Sequence, residues 1–320
     1  MRFGAWFHGY DDLPLDQQLA TASEAGICSA RSYSFDYARK LAPGLRQCGM
    51  SLLAGIPIDA ESLLTDRRSQ FRPDLLEAYH GLGVPLEAIC IGNELREGGD
   101  APETKRFTAR LAFCLANVIQ TSRQWLDEHG LATPLTYAIE EIVYDPALTF
   151  YEFMQPLIDA CDIVSINAYP MGNNAWFTYG AFEESRRFLF DARTRNDRLA
   201  AFNYRLRRAL TQIEAAGKPV LLSETGFPSA IGYHREGERL VVPESDGERY
   251  GEVMAEFVGI IRQISLDYGG RLQVAYFYEW RDNLYHAKIW NIENSPIHTA
   301  FGLCDRTGRQ KFDIRRVLQP

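Results

Sequence analysis

The sequence predicts a single (β/α)8 barrel domain over residues 1–320, with an extended loop after the sixth strand. Eight short apolar runs alternate with amphipathic segments, and five of those segments end at a glycine, a common C-terminus for a helix. The length suits a barrel of this type, which typically has about 250 residues, together with insertions. A doubly wound sheet is the alternative, but no glycine-rich phosphate loop follows the first strand.

Strands and helices are predicted to alternate along the whole chain. The strands are expected at residues 2–8, 28–33, 51–56, 88–92, 135–139, 163–167, 219–223 and 272–277. The helices are expected at residues 15–25, 37–48, 73–81, 104–129, 150–160, 199–216 and 248–266. Residues 168–197, rich in Asn, Tyr, Trp and Phe, form the predicted long loop. The segment 232–247 is a candidate to close over the barrel mouth.

Composition argues against several kinds of partner. The formal net charge of −8 disfavours nucleic acids and anionic membranes, because both are bound by basic surfaces. No apolar stretch is long enough for a signal peptide or a membrane-spanning helix. The six cysteines show no metal-ligand spacing and most lie in apolar segments. We therefore expect free thiols and a cytoplasmic protein.

Polar side chains follow six of the eight predicted strands. In a (β/α)8 barrel the carboxyl ends of the strands meet at one mouth, where functional residues collect. The side chains at these ends are Arg31, Ser32, Tyr33, Asn93, Glu94, Glu140, Glu141, Asn167, Tyr169, Glu224, Tyr278, Glu279 and Trp280. Each one alone is ordinary in a loop, but the set predicts a functional site at this face.

Two glutamates of this set occupy equivalent positions. Glu94 in ICIGNELR and Glu224 in LLSETGFP each follow an apolar run, and such a carboxylate is costly unless its charge is used. Three βα units and the long loop separate them, which places them on strands four and seven. Two carboxyl groups facing each other at a barrel mouth suit the cleavage of glycosidic bonds. In that reaction one group stays protonated and the other stays ionised.

Aromatic side chains near the predicted mouth offer surfaces on which the C–H faces of sugars pack. Trp176 and Trp280 are the preferred candidates, because both lie in polar, loop-like sequence. The other candidates are Trp6, Tyr33, Tyr169 and Tyr278.

The motifs around these residues resemble those of glycoside hydrolase family 17, the β-1,3-glucanases and glucanosyltransferases of clan A. IGNE is similar to that family's strand-four acid/base motif, SINAYP to its Asn-x-Tyr-Pro motif, and SETGFPS to its nucleophile motif. ARSY resembles its Arg-x-Tyr segment, and YFYEWRDN with TAFGL resembles its strand-eight acid and C-terminal Phe-Gly-Leu. The resemblance spans the chain. The sequence differs from the family's pattern at Phe227, at Met171 and in YEW, and these differences concern the sugar-binding subsites and the linkage of the glucan.

The resemblance implies a role for each matching residue. Glu94 would be the general acid/base and Glu224 the nucleophile of a retaining β-glycosidase. Asn93 would hold the sugar 2-hydroxyl, and Tyr169 would orient the nucleophile with Arg31 in reach of it. The predicted substrate-binding set is completed by Tyr33, Asn167, Glu279, Trp176 and Trp280. The expected partner is a β-glucan or oligosaccharide, and no cofactor or metal is expected.

Three alternatives remain open. A transglycosylase would use the same two glutamates but deliver the glycosyl group to a sugar. A metal-dependent phosphoesterase or isomerase barrel would need histidines and carboxylates to converge, yet only His8 of the six histidines lies at a predicted strand end. A sugar-binding barrel without activity is disfavoured because both glutamates are present.

Overall fold

The computed structural model confirms the predicted barrel. It describes residues 1–8, 13–97, 106–141, 151–171, 181–214, 216–236, 239–283 and 296–319. The strands are β1 (Arg2–Trp6), β2 (Ser29–Ser32), β3 (Ser51–Ile56), β4 (Leu86–Asn93), β5 (Leu135–Glu140), β6 (Val164–Asn167), β7 (Val220–Thr225), β8 (Ala230–Glu236), β9 (Arg239–Ser245) and β10 (Leu272–Phe277).

Eight of these strands form one closed parallel sheet. Strands β1 to β7 pair in sequence order, and β10 lies between β7 and β1. The pairing of Ala5 on β1 shows the closure directly, since it is opposite Ala30 on one side and Phe277 on the other. Because all eight strands run the same way, their carboxyl ends share one mouth.

Helices follow the strands and cover the outside of the barrel. They are α1 (Leu15–Glu24), α2 (Phe35–Cys48), α3 (Ala60–Thr65), α4 (Pro73–His80), α5 (Ala109–Glu128), α6 (Tyr151–Ala160), α7 (Ala181–Phe190), α8 (Ala192–Glu214), α9 (Gly247–Asp267) and α10 (Ile314–Leu318). Helix α2 ends at Gly49, whose φ of 64° is the left-handed conformation that glycine adopts without a steric cost.

The alternation of side chains along the strands separates two cores. Phe3, Ala5 and Phe7 belong to the outer core between sheet and helices, whereas Trp6 belongs to the cluster inside the barrel. Tyr276 fills part of that interior, and its ring would lie 2.4 Å from a Cβ atom placed on residue 4, which is glycine. The inner cluster makes the barrel a packed core and leaves its mouth for the site.

The long segment after β6 differs from the sequence expectation. Residues 168–197 contain helix α7 and the start of α8, which begins at Ala192 rather than at residue 199. Helix α7 buries Phe182 and Phe188, so these two aromatic residues are core contacts rather than parts of a loop. Helix α5, by contrast, begins later than predicted, at Ala109. The Thr108 side chain caps it by accepting from the N–H of Leu111 at 3.2 Å.

A hairpin follows β7. Strands β8 and β9 pair antiparallel and contact helix α7 and the short 3₁₀ helix Pro296–Ala300. The hairpin accounts for most of the segment 232–247, and closure of this segment over the mouth stays a prediction.

The six cysteines all fall within the described ranges and carry free thiols, as predicted. No helix in the described part of the chain is long and apolar enough to cross a bilayer.

Candidate active site

The carboxyl end of β4 turns sharply at Glu94. Its φ of 47° lies in the left-handed region, which is rare for a residue with a side chain. The N–H of Glu94 donates to the carbonyl of Ala138 on β5 at 2.9 Å, so the turn stays attached to the sheet. Such conformations cost about 1–3 kcal/mol and cluster at functional sites. The turn therefore marks Glu94 as a functional candidate independently of its charge.

Glu224, near the end of β7, is held by two hydrogen-bond donors and one cation. The phenol of Tyr33 donates to Oε1, the phenol of Tyr169 donates to Oε2 at 2.8 Å, and Nη1 of Arg31 lies 3.6 Å from Oε1. Burial raises the pKa of Tyr33 and of Tyr169, so both phenols stay protonated and able to donate. These contacts fix the orientation of the carboxyl group and place a cation beside it. The predicted hydrogen bond from Tyr169 and the approach of Arg31 are both present.

Arg31 connects the residues of the mouth to one another. Its guanidinium is fully buried and donates to the Tyr33 hydroxyl at 2.9 Å and to Oδ1 of Asn93 at 3.0 Å. It also donates to the carbonyl of Ser223, beside Glu224, and lies 4.5 Å from the centre of the Trp6 ring. Since every donor of a guanidinium lies in one plane, these contacts fix its orientation.

Asn167, the last residue of β6, is hydrogen-bonded to Glu94. Its Nδ2 donates to Oε1 of Glu94 at 2.9 Å and to Oδ1 of Asn93 at 3.0 Å, while its Oδ1 accepts from the Ser223 hydroxyl at 2.7 Å. Asn167 is fully buried. Its amide thus links the strands that carry the two carboxyl groups, and its contact with substrate stays a prediction.

The surroundings of Glu94 favour its protonated form. Burial in the mouth raises its pKa to about 8, and the charges of Glu224 and Glu140 act in the same direction. The hydrogen bond from Asn167 and the charge of Arg96 act against this rise. The side chain nevertheless remains partly exposed. The two glutamates of the mouth thus differ, one lying among donors and the other holding a proton.

The two acids at the end of β5 have different surroundings. Glu140 forms an ion pair with Arg96 near Glu94. Glu141 is buried and accepts from Nε of Arg205 on α8 at 2.8 Å, and the same guanidinium donates to the carbonyl of Tyr169 at 2.9 Å. Glu141 thus helps to hold Tyr169 in place, whereas Glu140 acts on the charge of the mouth.

The remaining predicted residues divide between mouth and core. Glu279 is fully buried, and Oε2 lies 3.6 Å from Nε2 of His8. Trp280 is only 1% exposed and stacks on Phe7 in the outer core, and its role as a sugar-binding surface stays a prediction. Trp176 lies outside the described residues. Tyr278 is partly exposed, in contact with the rings of the mouth.

Several functional candidates escaped the sequence analysis. Arg96 and Arg205 lie in a loop and on a helix, where no local pattern distinguishes them from surface arginines. His8 was noted only for its place at a strand end, and that place is the signal that could have found it. No group of three or more His, Cys, Asp or Glu side chains in the described ranges is arranged to hold a metal ion.

No protein-family model matches the chain, and no curated protein matches it in sequence. Solved structures match it closely in fold. An endo-laminarinase from Formosa Hel1_33_131 is 16% identical with a TM-score of 0.65, over 95% of this chain and 83% of that one. The β-1,3-glucanase CJP38 of Cryptomeria japonica pollen is 13% identical with a TM-score of 0.60, over 98% and 99%.

A third match is the structure of two fungal β-1,4-galactanases, 14% identical with a TM-score of 0.60, over 94% of this chain and 90% of that one. The barrel is thus shared with glycan-cleaving enzymes. Because identity this low shows the fold alone, membership of family 17 stays a prediction.

Proposed function

We propose that the protein is a retaining β-glycosidase that cleaves β-1,3-linked glucosides by double displacement. The contrast between its two mouth carboxyl groups carries the proposal. Glu224 lies among two phenols and a guanidinium, which stabilise its charge. Glu94 has a pKa raised to about 8 by burial and by the charge of Glu224. An ionised nucleophile and a protonated acid are the two groups that the first step needs.

In the first step, the Glu224 carboxylate attacks the anomeric carbon as the bond to the leaving oxygen breaks. Glu94 gives its proton to that oxygen, so the leaving group departs neutral and a glycosyl–enzyme ester forms. In the second step the Glu94 carboxylate takes a proton from water, whose oxygen attacks the same carbon and releases Glu224. We assign the substrate 2-hydroxyl to Asn93, whose Oδ1 is already oriented by Arg31 and Asn167.

The β-1,3 linkage rests on the resemblance of the glutamate motifs to family 17. The fold similarity to proteins described as an endo-laminarinase and a β-1,3-glucanase supports it. The test is incubation with laminari-oligosaccharides and with other β-glucans, followed by sizing of the products. We expect shorter products, and none from the Glu224→Gln variant. Longer products would indicate transglycosylation by the same glutamates. If the protein leaves every one of the β-glucans uncleaved, the proposal is contradicted.

The pH dependence of activity follows from the proton on Glu94. We expect kcat/KM to fall as pH rises through about 8, because the acid form of Glu94 is lost. The Glu140→Gln variant should move this alkaline limb to lower pH, since the charge of Glu140 raises the pKa of Glu94. The Arg96→Gln variant should move it to higher pH, since the charge of Arg96 lowers that pKa.

These shifts are measured as pH–rate profiles of kcat/KM with a β-glucoside whose leaving group needs protonation. The two variants alter the same ion pair, so each is the control for the other. An alkaline limb that stays in place in both, or moves in one direction in both, would show that another group supplies the proton.

A further inference from the structure

The end of β1 carries a histidine that the two-step mechanism does not use. His8 lies two residues beyond Trp6, the last residue of the strand. Its side chain is 19% exposed, and its Nε2 lies 3.6 Å from Oε2 of Glu279, a carboxylate with 0% exposure. At 3.6 Å the two groups form a charge contact rather than a hydrogen bond, and the buried carboxyl group acts on the imidazole through its charge.

The imidazole of His8 lies at the barrel mouth. Phe7 belongs to the outer core and Trp6 to the inner one, and His8 lies on the side of Trp6. The His8 ring stacks on the Trp6 ring, with centres 4.9 Å apart and planes 12° apart. The Tyr278 ring meets it edge-on at 5.4 Å.

The Trp6 ring lies between His8 and the residues that contact Glu224. The Tyr33 ring lies 3.9 Å from the Trp6 ring, and the Arg31 guanidinium lies 4.5 Å from it. Tyr33 and Arg31 are themselves partners of Glu224. His8 therefore belongs to the part of the mouth formed by β10, β1 and β2, which are neighbours in the barrel. Glu94 and Arg96, by contrast, follow the end of β4, and Glu140 is the last residue of β5.

The two parts of the mouth would meet different halves of a substrate. In double displacement the sugar that is attacked lies against the nucleophile, and the leaving group lies against the acid. With Glu224 as nucleophile, side chains on the β10, β1 and β2 side face the glycosyl unit. We propose, on the basis of the function proposed above, that His8 binds a hydroxyl of this glycosyl unit and that Glu279 orients it.

The charge of this corner favours a neutral sugar. The His8–Glu279 pair has a net charge of −1 with neutral imidazole and of zero with imidazolium, so it offers no excess positive charge to a uronate. An imidazole can donate or accept a hydrogen bond, which matches a hydroxyl group. The proposal therefore includes preference for a β-glucoside over the corresponding β-glucuronide.

The test is a series of aryl β-glucosides that each lack one hydroxyl group, assayed with the wild-type protein and the His8→Ala variant. For the full glucoside, the variant should lose about 10- to 100-fold in kcat/KM, the effect of a lost buried hydrogen bond. One deoxyglucoside should show no further loss in the variant, because the partner hydroxyl is already absent. The other deoxyglucosides should show the full loss.

Two further variants separate recognition from folding. His8→Gln, which keeps a donor and an acceptor, should recover part of the activity. Glu279→Gln should lower kcat/KM for the full glucoside and should cause no further loss with the same deoxyglucoside. His129→Ala, at an exposed position after α5, is the control and should match wild type throughout. Thermal melts identify any variant that fails to fold, and the series is then run with His8→Gln.

An equal loss for every deoxyglucoside, no loss at all, or better turnover of the β-glucuronide would overturn the assignment of His8. Each of these results needs an active wild-type protein and leaves the proposed function intact. A wild-type protein that cleaves no aryl β-glycoside would instead overturn the proposed function, and the role of His8 with it.

Discussion

Replacing Glu224 by alanine is expected to lower kcat by roughly 10⁴- to 10⁶-fold, the scale seen when the nucleophile of a covalent mechanism is removed. The expectation follows from the surroundings of Glu224, where Tyr33, Tyr169 and Arg31 all contact the carboxyl group and stabilise its charge. Protonation by Glu94 remains possible in the variant, but nothing remains to attack the anomeric carbon from its far side.

Azide gives this variant a distinct product. A small anion that enters the space of the missing carboxylate attacks the β-glucoside directly, so the single displacement yields the α-glycosyl azide. The product is assigned by NMR, with Glu128→Ala, an exposed glutamate on α5, as the control. A β-glycosyl azide from Glu224→Ala, or activity close to wild type, would remove Glu224 from the nucleophile role.

Replacing Glu94 by alanine should have an effect that depends on the leaving group. Substrates with poor leaving groups need the proton and should lose about 10²- to 10⁴-fold in kcat/KM, the usual contribution of general acid catalysis. Activated aryl glucosides need no proton and should still transfer their glycosyl group to Glu224. The glycosyl–enzyme should then accumulate, because Glu94 is also the base that activates water.

Azide should accelerate the second step in this variant, since it needs no base, and the product should be the β-glycosyl azide. The fall in activity above a pH of about 8 should disappear at the same time, because it reports the proton on Glu94. Equal losses for good and poor leaving groups would argue against Glu94 as the acid. An α-glycosyl azide from this variant would reverse the roles of the two glutamates.

The barrel and the centre of the mouth could be predicted from the sequence for a physical reason. Strand order and the two-residue period of each strand decide which side chains meet at the carboxyl ends. Glu94, Glu224, Arg31 and Tyr33 lie where this rule places them, and Tyr169 donates to Glu224 as expected. These contacts depend on backbone topology more than on the details of loops.

The surroundings of other side chains could not be predicted from the sequence. After β10 the two-residue period no longer applies, and Trp280 turns into the outer core against Phe7. Asn167 ends β6, where an amide can face either way. Only the structure shows its hydrogen bonds to Glu94 and Asn93. Helix α7 was missed because Phe182 and Phe188, which it buries, resembled loop aromatics.

Trapping the covalent intermediate tests the central claim most directly. An aryl β-glucoside with an activated leaving group and fluorine in place of the 2-hydroxyl should react with the enzyme and then stall, because fluorine destabilises the oxocarbenium-like transition state of both steps. Mass spectrometry of the digested protein should find one fluoroglucosyl group on the peptide that contains Glu224, and none on the Glu224→Gln variant. A label on another residue, or turnover to the α-anomer without any label, would contradict the account.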